Sequence, residues 1–398
     1  MGQSTFPVPS SGSSTSTILP VNASSVILDG SLTSASTYTT TVNGNGGIAY
    51  LVASDNPAIF TIGGNNYTVP ANSVSATTTA VGSSASVTVA ANYVGTPSTF
   101  TASTMPSTSS WKSVTYGNGY YVAVQGSGTT AGAYSTNGTS WTASTLPSAS
   151  NWFGVTYGNG YFVAVAQSTT AGAYSTNGTT WTASTMPSSS NWRGVTYGNG
   201  YFVAVASGPT TAGAYSINGT SWTASTMPSS SNWFGVTYGN GYYVAVAYST
   251  TAGAYSTNGT TWTASTMPST SNWYGVTYGN GYYVAVQGSG TTAGAYSTNG
   301  TSWTASTLPS LYGWQSVAFG NGYFVAVAQS TSAGAYSTNG ISWTANTMPS
   351  NSAWYAVTYG NGYFVAVQSA GTTAGAYFAQ SALLPVNFGI YAGPTTIN

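Results

Sequence analysis

The chain has 398 residues and almost no charge, because its only basic residues are Lys112 and Arg193 and its only acidic residues are Asp29 and Asp55. It also contains no His and no Cys. General acid–base catalysis and metal sites need groups that this composition does not supply. We therefore predict that the chain is not an enzyme and has no cofactor or metal. Two isolated cations also predict no nucleic-acid partner, because phosphate binding rests on clustered Lys and Arg.

The N-terminal part of the chain differs from the rest in composition. Residues 1–23 are rich in Ser, Thr and Pro and are predicted to be an extended segment. Residues 24–95 contain short alternating apolar and polar runs, separated by turn residues such as Asp29-Gly30 and Gly63-Gly64. Short strands at this spacing predict a small β-sandwich of immunoglobulin-like type. No apolar run is long enough for a membrane-spanning helix, so we predict no membrane span.

A block of 40 or 41 residues then occurs seven times. Each block opens with a Trp, and a second Trp series runs at the same spacing, so that both series together account for all 13 Trp residues. The opening residues are Trp111, Trp152, Trp192, Trp233, Trp273, Trp314 and Trp354. A fixed period in this range indicates a solenoid, a propeller or an array.

The second block predicts four short strands rich in Val, Thr, Tyr and Trp. They are Trp152–Tyr157, Tyr161–Ala166, Ala171–Ser175 and Thr180–Ser184. Asn177-Gly178 is interpreted as a type I′ hairpin turn, in which both central residues have positive φ. Four strands per block, repeated seven times, are typical of propeller blades. We therefore predict an all-β fold whose main domain is a seven-bladed β-propeller over residues 98–377.

The two ends of the repeat array predict that the propeller is a closed ring. The seventh block departs from the pattern after Tyr377 and lacks its own fourth strand. Residues 98–103 match residues 139–144 of the first block, with Phe100 in the place of Trp141. A strand over 98–103 would complete the last blade and remove the exposed edge of an open sheet.

Residues 378–398 follow the propeller as a predicted strand-like tail. Val386, Phe388 and Ile390 alternate with less apolar residues, so one face of this strand could fill an apolar groove on another subunit. Residues 1–23 are the other candidate for such a contact. The competing interpretation is that the C-terminal tail folds back onto its own propeller as a cap.

The segment from Ser135 to Trp141, with the sequence STNGTSW, and its copies resemble the Asp-box, or BNR-type, hairpin motif of sialidase-like propellers. The blocks are also similar to tandem propeller repeats of bacterial and phage surface proteins. The segment departs from the motif in having Asn in place of Asp and one residue fewer before the Trp. The arginine cluster and acidic residues that sialidases use have no counterparts here. The resemblance therefore implies the fold and not the activity.

Two sets of residues are candidate glycan sites. Tyr157 and Tyr161, which flank the Gly-Asn-Gly turn of the second block, are candidates for stacking on a sugar. Other residues match the Asn-x-Ser/Thr acceptor pattern and could carry glycans. These are Asn22, Asn66, Asn137, Asn177, Asn218, Asn258 and Asn299. For the copies in the repeats, the alternative is a plain Asn-Gly turn followed by a β-forming residue.

One position varies while its surroundings repeat, namely the residue after each opening Trp. It is Lys112, Phe153, Arg193, Phe234, Tyr274, Gln315 and Tyr355 in the successive blocks. A position that accepts Lys, Phe and Gln cannot be a uniform core site. We expect a ring of solvent or contact residues on one face of the propeller.

The leading hypothesis for function is a non-enzymatic structural subunit of an extracellular filament or fibre. A surface with almost no charge is nearly indifferent to pH and salt. The partners would be copies of the chain itself in a helical or linear homopolymer, joined by addition of a terminal strand to a sheet of the neighbour, with the sandwich favoured as acceptor. The alternatives are a multivalent glycan-binding, lectin-like propeller and a phage fibre or virion appendage protein.

Overall fold

The computed structural model describes residues 25–32, 37–42, 48–54, 58–62, 65–69, 73–76, 85–91, 93–94, 96–288, 290–369, 373–379, 381–382 and 386–393. These residues form strands and turns, without helix, so the predicted all-β fold class is confirmed. Two compact units are present. The first contains the described residues of Met1–Gly95 and Ser381–Asn398, and the second contains Thr96–Gln380.

The first unit begins with eight strands that precede the repeats in sequence. They are β1 (Ser25–Leu32), β2 (Thr37–Val42), β3 (Ile48–Ser54), β4 (Ala58–Ile62), β5 (Asn65–Val69), β6 (Ser73–Ala76), β7 (Ala85–Ala91) and β8 (Tyr93–Val94). Strands β2, β7, β4 and β5 form one four-stranded antiparallel sheet in that order.

The second unit is the propeller, and its strands follow the repeated blocks. They are β9 (Thr101–Thr104), β10 (Trp111–Gly117), β11 (Tyr120–Gln125), β12 (Thr129–Ser135), β13 (Thr142–Gly158), β14 (Tyr161–Gln167), β15 (Thr169–Ser175), β16 (Thr182–Gly198), β17 (Tyr201–Ser207), β18 (Thr210–Ser216), β19 (Thr223–Gly239), β20 (Tyr242–Tyr248), β21 (Thr250–Ser256), β22 (Thr263–Ser271), β23 (Trp273–Gly279), β24 (Tyr282–Gln287), β25 (Thr291–Ser297), β26 (Thr304–Gly320), β27 (Tyr323–Gln329), β28 (Thr331–Ser337), β29 (Thr344–Ser352), β30 (Trp354–Gly360), β31 (Tyr363–Gln368) and β32 (Ala374–Ala379).

The pairing of these strands gives seven four-stranded antiparallel blades. Blades 1 to 7 are numbered in the chain order of their opening Trp residues. Four long strands, β13, β16, β19 and β26, each join two neighbouring blades. In β13, Thr142 pairs with Tyr134 of blade 1, whereas Gly158 pairs with Tyr161 of blade 2. One continuous strand is therefore the last strand of one blade and the first strand of the next.

The two turns of each blade have different conformations. Asn159 and Gly160 between the first and second strands of blade 2 have φ values of 47° and 81°, as a type I′ turn requires. At the second turn Gly178 has φ 72°, but Asn177 is not among the residues with positive φ. The type I′ interpretation of Asn177-Gly178 was therefore wrong. The Asn177 side chain closes this turn instead, because its Oδ1 accepts hydrogen bonds from the backbone of the next two residues after Gly178.

The core of the propeller lies between adjacent blades. All seven opening Trp side chains have no exposed surface. Trp152 packs in one cluster with Phe162 of its own blade and with Val122 and Val124 of blade 1. Its indole nitrogen donates a hydrogen bond of 3.2 Å to the carbonyl of Ser148. Burial of such apolar side chains is the main stabilising contribution, at roughly 25 cal/mol per Å² of area removed from water.

Blade 7 takes its fourth strand from the beginning of the propeller segment. Strand β9 pairs with β32, and Tyr377 lies opposite Thr101. Phe100 is 3% exposed and packs in the cluster of Trp354. Blade 7 also contacts blade 1, because the Tyr121 hydroxyl donates a hydrogen bond to the Gly360 carbonyl. The blades therefore form a closed ring.

The chain returns to the first unit after the propeller. Strand β33 (Ser381–Ala382) pairs with β8, and β34 (Val386–Gly393) lies between β1 and β3 in a sheet of order β1-β34-β3-β6. Strand β34 is antiparallel to both neighbours, from Val386 opposite Leu32 to Gly393 opposite Ile48. The tail is thus an internal strand of the N-terminal unit, and the interpretation as a cap on the propeller was wrong.

Candidate functional site

The seven variable residues that follow the opening Trps meet around one cavity of about 180 Å³ inside the propeller. Its walls include Lys112, Phe153, Arg193, Phe234, Tyr274, Gln315 and Tyr355, together with small residues of the same seven strands. The expected ring of residues is therefore present, and it lines this space, which is called the central cavity below. Six of the seven side chains are half-buried and Gln315 is buried.

A backbone irregularity places these residues in the cavity. In every blade the strand register shifts just after the opening Trp, for example between Trp111 and Ser113 and between Trp152 and Gly154. The residue in between is left out of the ladder, which is the geometry of a β-bulge. Bulges redirect side chains, and seven bulges at one level of the ring direct seven side chains toward the same space.

Both cations of the chain lie against aromatic rings in this cavity. The Lys112 Nζ lies 4.3 Å from the centre of the Tyr355 ring and 5.3 Å from that of Phe153. The Arg193 guanidinium carbon lies 3.7 Å from the centre of the Phe234 ring. Its Nη2 also donates a hydrogen bond of 2.6 Å to the Tyr355 hydroxyl. Contacts of this kind contribute about 0.5–2 kcal/mol each.

Lys112 and Arg193 give the cavity a positive charge, and the propeller segment contains no Asp or Glu that could neutralise it. The only carboxylate side chains of the sequence are those of Asp29 and Asp55, which lie outside the propeller segment. Burial, and secondly the nearby charge of Arg193, lower the pKa of Lys112 from 10.5 to about 8. Burial raises the pKa of the Tyr274 hydroxyl. A substantial fraction of Lys112 is therefore neutral slightly above physiological pH.

Gln315 adds an amide to the same wall. It is only 5% exposed, and its side chain forms a hydrogen bond with Tyr274 that partly opposes the rise in the pKa of the Tyr274 hydroxyl. Its position beside the two cations makes it part of the same polar group.

The two candidate Tyr residues for glycan stacking have different environments. Tyr157 is half-buried between blades, since its ring packs on Phe162 with centroids 4.7 Å apart and covers Gly117 of blade 1. Tyr161 is also half-buried and meets Tyr174 edge-on at 6.0 Å. The corresponding Tyr pair occurs in all seven blades. Packing accounts for Tyr157, whereas Tyr161 belongs to a repeated aromatic pair.

The repeat Asn residues share one turn geometry. Asn137 Oδ1 accepts hydrogen bonds from the backbone of Thr139 and Ser140 and from the Ser135 hydroxyl. Asn339 makes the same contacts although Ile341 removes the acceptor pattern. The remaining candidates in the repeats do the same, namely Asn177, Asn218, Asn258 and Asn299. These turns therefore need Asn whether or not a glycan is attached.

Of the other two acceptor candidates, Asn22 lies outside the described residues, and Asn66 lies in β5, where its backbone is opposite that of Thr61.

The predicted subunit-contact residues lie in β34. Phe388 is opposite Gly30 and Ala53, and Ile390 is opposite Leu28 and Leu51.

Metal-ligand clusters and membrane-spanning helices are both absent from the described part of the chain. Over these residues no three His, Cys, Asp or Glu side chains are close enough together to hold a metal ion. No described helix has the length and apolar character needed to cross a membrane.

Comparison with known proteins finds similar structures but no match by sequence. No protein-family model matches the chain, and no curated protein matches it. The crystal structure of virginiamycin B lyase from Staphylococcus aureus is similar, with a TM-score of 0.62 at 12% identity over 73% of this chain and 98% of that one. YCF48 bound to D1 peptide has a TM-score of 0.57 at 14% identity over 72% and 96% of the two chains. YCF48 from Cyanidioschyzon merolae has 0.54 at 13% identity over 73% and 98%. Together with the pairing of the strands, these likenesses define the class of this chain as a β-propeller repeat protein.

The structural similarity to virginiamycin B lyase contradicts one prediction that was made from composition. Because a structural neighbour is an enzyme, the prediction that this chain is not an enzyme is contradicted. Residue types alone do not show how burial changes the chemistry of a side chain. Burial and the nearby Arg193 lower the pKa of Lys112 to about 8.

Proposed function

We propose that the chain is a structural subunit of an extracellular filament or fibre, in which the C-terminal strand of one copy completes the N-terminal sheet of the next. One observation carries this proposal. The internal strand β34 comes after the propeller in sequence, whereas its neighbours β1 and β3 come before it. The sheet thus depends on a strand from the far end of the chain, and a second copy can supply the same strand.

The pairing of β34 gives such a joint its affinity. All seven residues from Ile48 to Ser54 have a partner on one side of β34, and seven residues of β1 have a partner on the other side. Main-chain hydrogen bonds on both edges need no charge, which suits a chain with only four charged side chains. Exchange replaces each contact by an identical contact between copies, so it costs little beyond association.

The connection before β34 is short. Only residues 383–385 separate β33 from β34 in sequence. Short connections favour exchange between copies when they are strained in the closed form. A chain that passes β34 to a neighbour and receives β34 from another forms an open, head-to-tail series, which grows into a filament.

Truncation combined with peptide addition tests the joint. We expect that deletion of residues 383–398 abolishes assembly, observed by negative-stain microscopy and light scattering, and that deletion of residues 1–23 does not. A synthetic peptide of residues 383–398 should restore the N-terminal sheet of the truncated chain without restoring filaments, because a free peptide fills the sheet but links nothing.

Two results would contradict the proposal. Filaments formed by the chain without residues 383–398 would show that β34 is not the joint. Filaments restored by the free peptide would show that β34 serves only the fold of its own unit.

Multivalent glycan binding is the second candidate, and the seven repeated Tyr pairs such as Tyr161 with Tyr174 favour it. Seven equivalent weak sites could give high avidity on a dense surface. Binding on a glycan array that is lost when Tyr161 and its six equivalents are changed to Ser would support this candidate, and an array without signal would eliminate it.

A further inference from the structure

The central cavity of the propeller contains the only Lys and the only Arg of the chain. Their separation in sequence is large, yet both lie against the Phe153 ring, with Lys112 Nζ at 5.3 Å and the Arg193 guanidinium carbon at 5.0 Å from its centre. Two like charges in one half-buried space repel each other. A bound anion between the two cations would reduce this repulsion.

The aromatic rings of the cavity make cation–π contacts with Lys112 and Arg193 but do not neutralise their charge. Phe234 and Tyr355 offer ring faces at 3.7 Å from Arg193 and 4.3 Å from Lys112. Ring faces attract cations through their quadrupole and carry no net negative charge. Because no acidic side chain belongs to the propeller segment, the charge in the cavity is left without a counter-ion from its own domain.

Donors in the cavity remain available. A guanidinium has five N–H groups, and the hydrogen bond from Arg193 to the Tyr355 hydroxyl uses one of them. The Gln315 amide is 95% buried, since its exposed fraction is 5%, and it lines the cavity beside the Tyr274 hydroxyl. A cavity of about 180 Å³ is well above the about 10–15 Å³ that one water needs.

We propose that this cavity binds one small oxyanion, a carboxylate or a phosphate group, between Lys112 and Arg193, with the Gln315 amide as a further donor. Charge-assisted hydrogen bonds from Arg to such groups are shorter and stronger than neutral ones. The bound anion would relieve the repulsion between the cations. It would also keep Lys112 protonated, so its affinity should fall as the pH rises through the range in which Lys112 loses its proton.

The composition of the chain makes this proposal directly testable. Because the sequence has one Lys and one Arg, nitrogen-15 labelling of these residue types in the full chain gives one Nζ NMR signal for Lys112 and one Nε signal for Arg193. Sodium phosphate and sodium acetate are titrated in separate arms at constant ionic strength, with sodium chloride as the baseline.

We expect both signals to shift saturably with phosphate, with acetate or with both, and the responding arm identifies the oxyanion. In the responding arm the pKa of Lys112 should rise by at least about one unit, which corresponds to at least tenfold weaker binding to the neutral amine. Arg193→Gln places at this position the residue that blade 6 already has in Gln315, so the variant should fold, and it should lose the response of Lys112.

Two results would overturn the proposal. The first is the absence of a saturable shift with either anion. The second is a response of Lys112 that persists unchanged in Arg193→Gln, since this would place the anion elsewhere.

Discussion

The substitution Gly360→Ala tests whether blade 7 packs against blade 1. A Cβ atom on Gly360 would lie 2.1 Å from Cγ, 2.4 Å from Cδ1 and 2.6 Å from Cβ of Tyr116. Carbon atoms in contact are normally about 3.5–4.0 Å apart. The ring or the strand would therefore have to move by more than about 1 Å, and we expect a cost at the upper end of the about 1–3 kcal/mol that overpacking usually causes.

The sign of the effect distinguishes a closed ring from an open one. Gly360 is not among the glycines with positive φ, so its backbone accepts alanine. Without Tyr116 beside it, Gly360→Ala would leave stability unchanged or raise it by about 0.4–1 kcal/mol through the unfolded state. With the contact, the melting temperature should fall by about 5 °C or more.

Gly198→Ala is the matched control, because it meets Tyr238 at 2.0 Å between two blades in the middle of the array. Calorimetry of both variants should show similar losses. If Gly198→Ala is destabilised while Gly360→Ala is not, blades 7 and 1 do not meet and the ring is open.

Three further outcomes follow from single residues. Stability to urea should rise between pH 8 and 10.5, because the folded chain releases the Lys112 proton at about pH 8 and the unfolded chain releases it at a higher pH. Lys112→Met should flatten the slope of stability against pH. An unchanged slope would show that Lys112 does not cause the rise. Tyr243→Phe should cost about 1 kcal/mol through loss of its hydrogen bond to the Gly198 carbonyl, as measured by urea midpoints, whereas no loss would mean that this bond contributes nothing. Asn177→Ala should cost about 1–2 kcal/mol in thermal unfolding, because the turn loses its side-chain acceptor. Asn177→Asp should keep most of this stability, and equal losses in both variants would show that the Oδ1 contacts are not needed.

The propeller class could be predicted from the sequence because its signals are local. The spacing of the Trp residues gives the period, and runs such as Tyr161–Ala166 between Gly and Asn turns give the strands. Each of these features lies within one block, so one block is enough to recognise it.

The central cavity could not be predicted because it depends on a backbone irregularity and on ring closure. The varying residue type after each Trp indicated an unusual position, but the sequence does not show the bulge that turns Lys112 and Arg193 toward one space. The pairing of β34 was missed for a similar reason. Alternation at Val386, Phe388 and Ile390 indicates a strand, but not its partners, which lie near the opposite end of the chain.

A disulfide trap tests the proposed joint between subunits most directly. The chain has no Cys, and Leu51 of β3 lies opposite Ile390 of β34. Opposite residues in antiparallel strands have Cα atoms about 4.5–5.5 Å apart, which a disulfide spans. Leu51→Cys with Ile390→Cys is the test variant, and Leu51→Cys with Phe388→Cys, two positions out of register, is the control.

The assembled protein is oxidised and separated by size under denaturing, non-reducing conditions. Exchange of β34 between copies predicts a ladder of covalent dimers, trimers and longer chains from the in-register pair, and little product from the control. Cross-linked monomers alone from the in-register pair would contradict the account, because β34 would then complete only the sheet of its own chain.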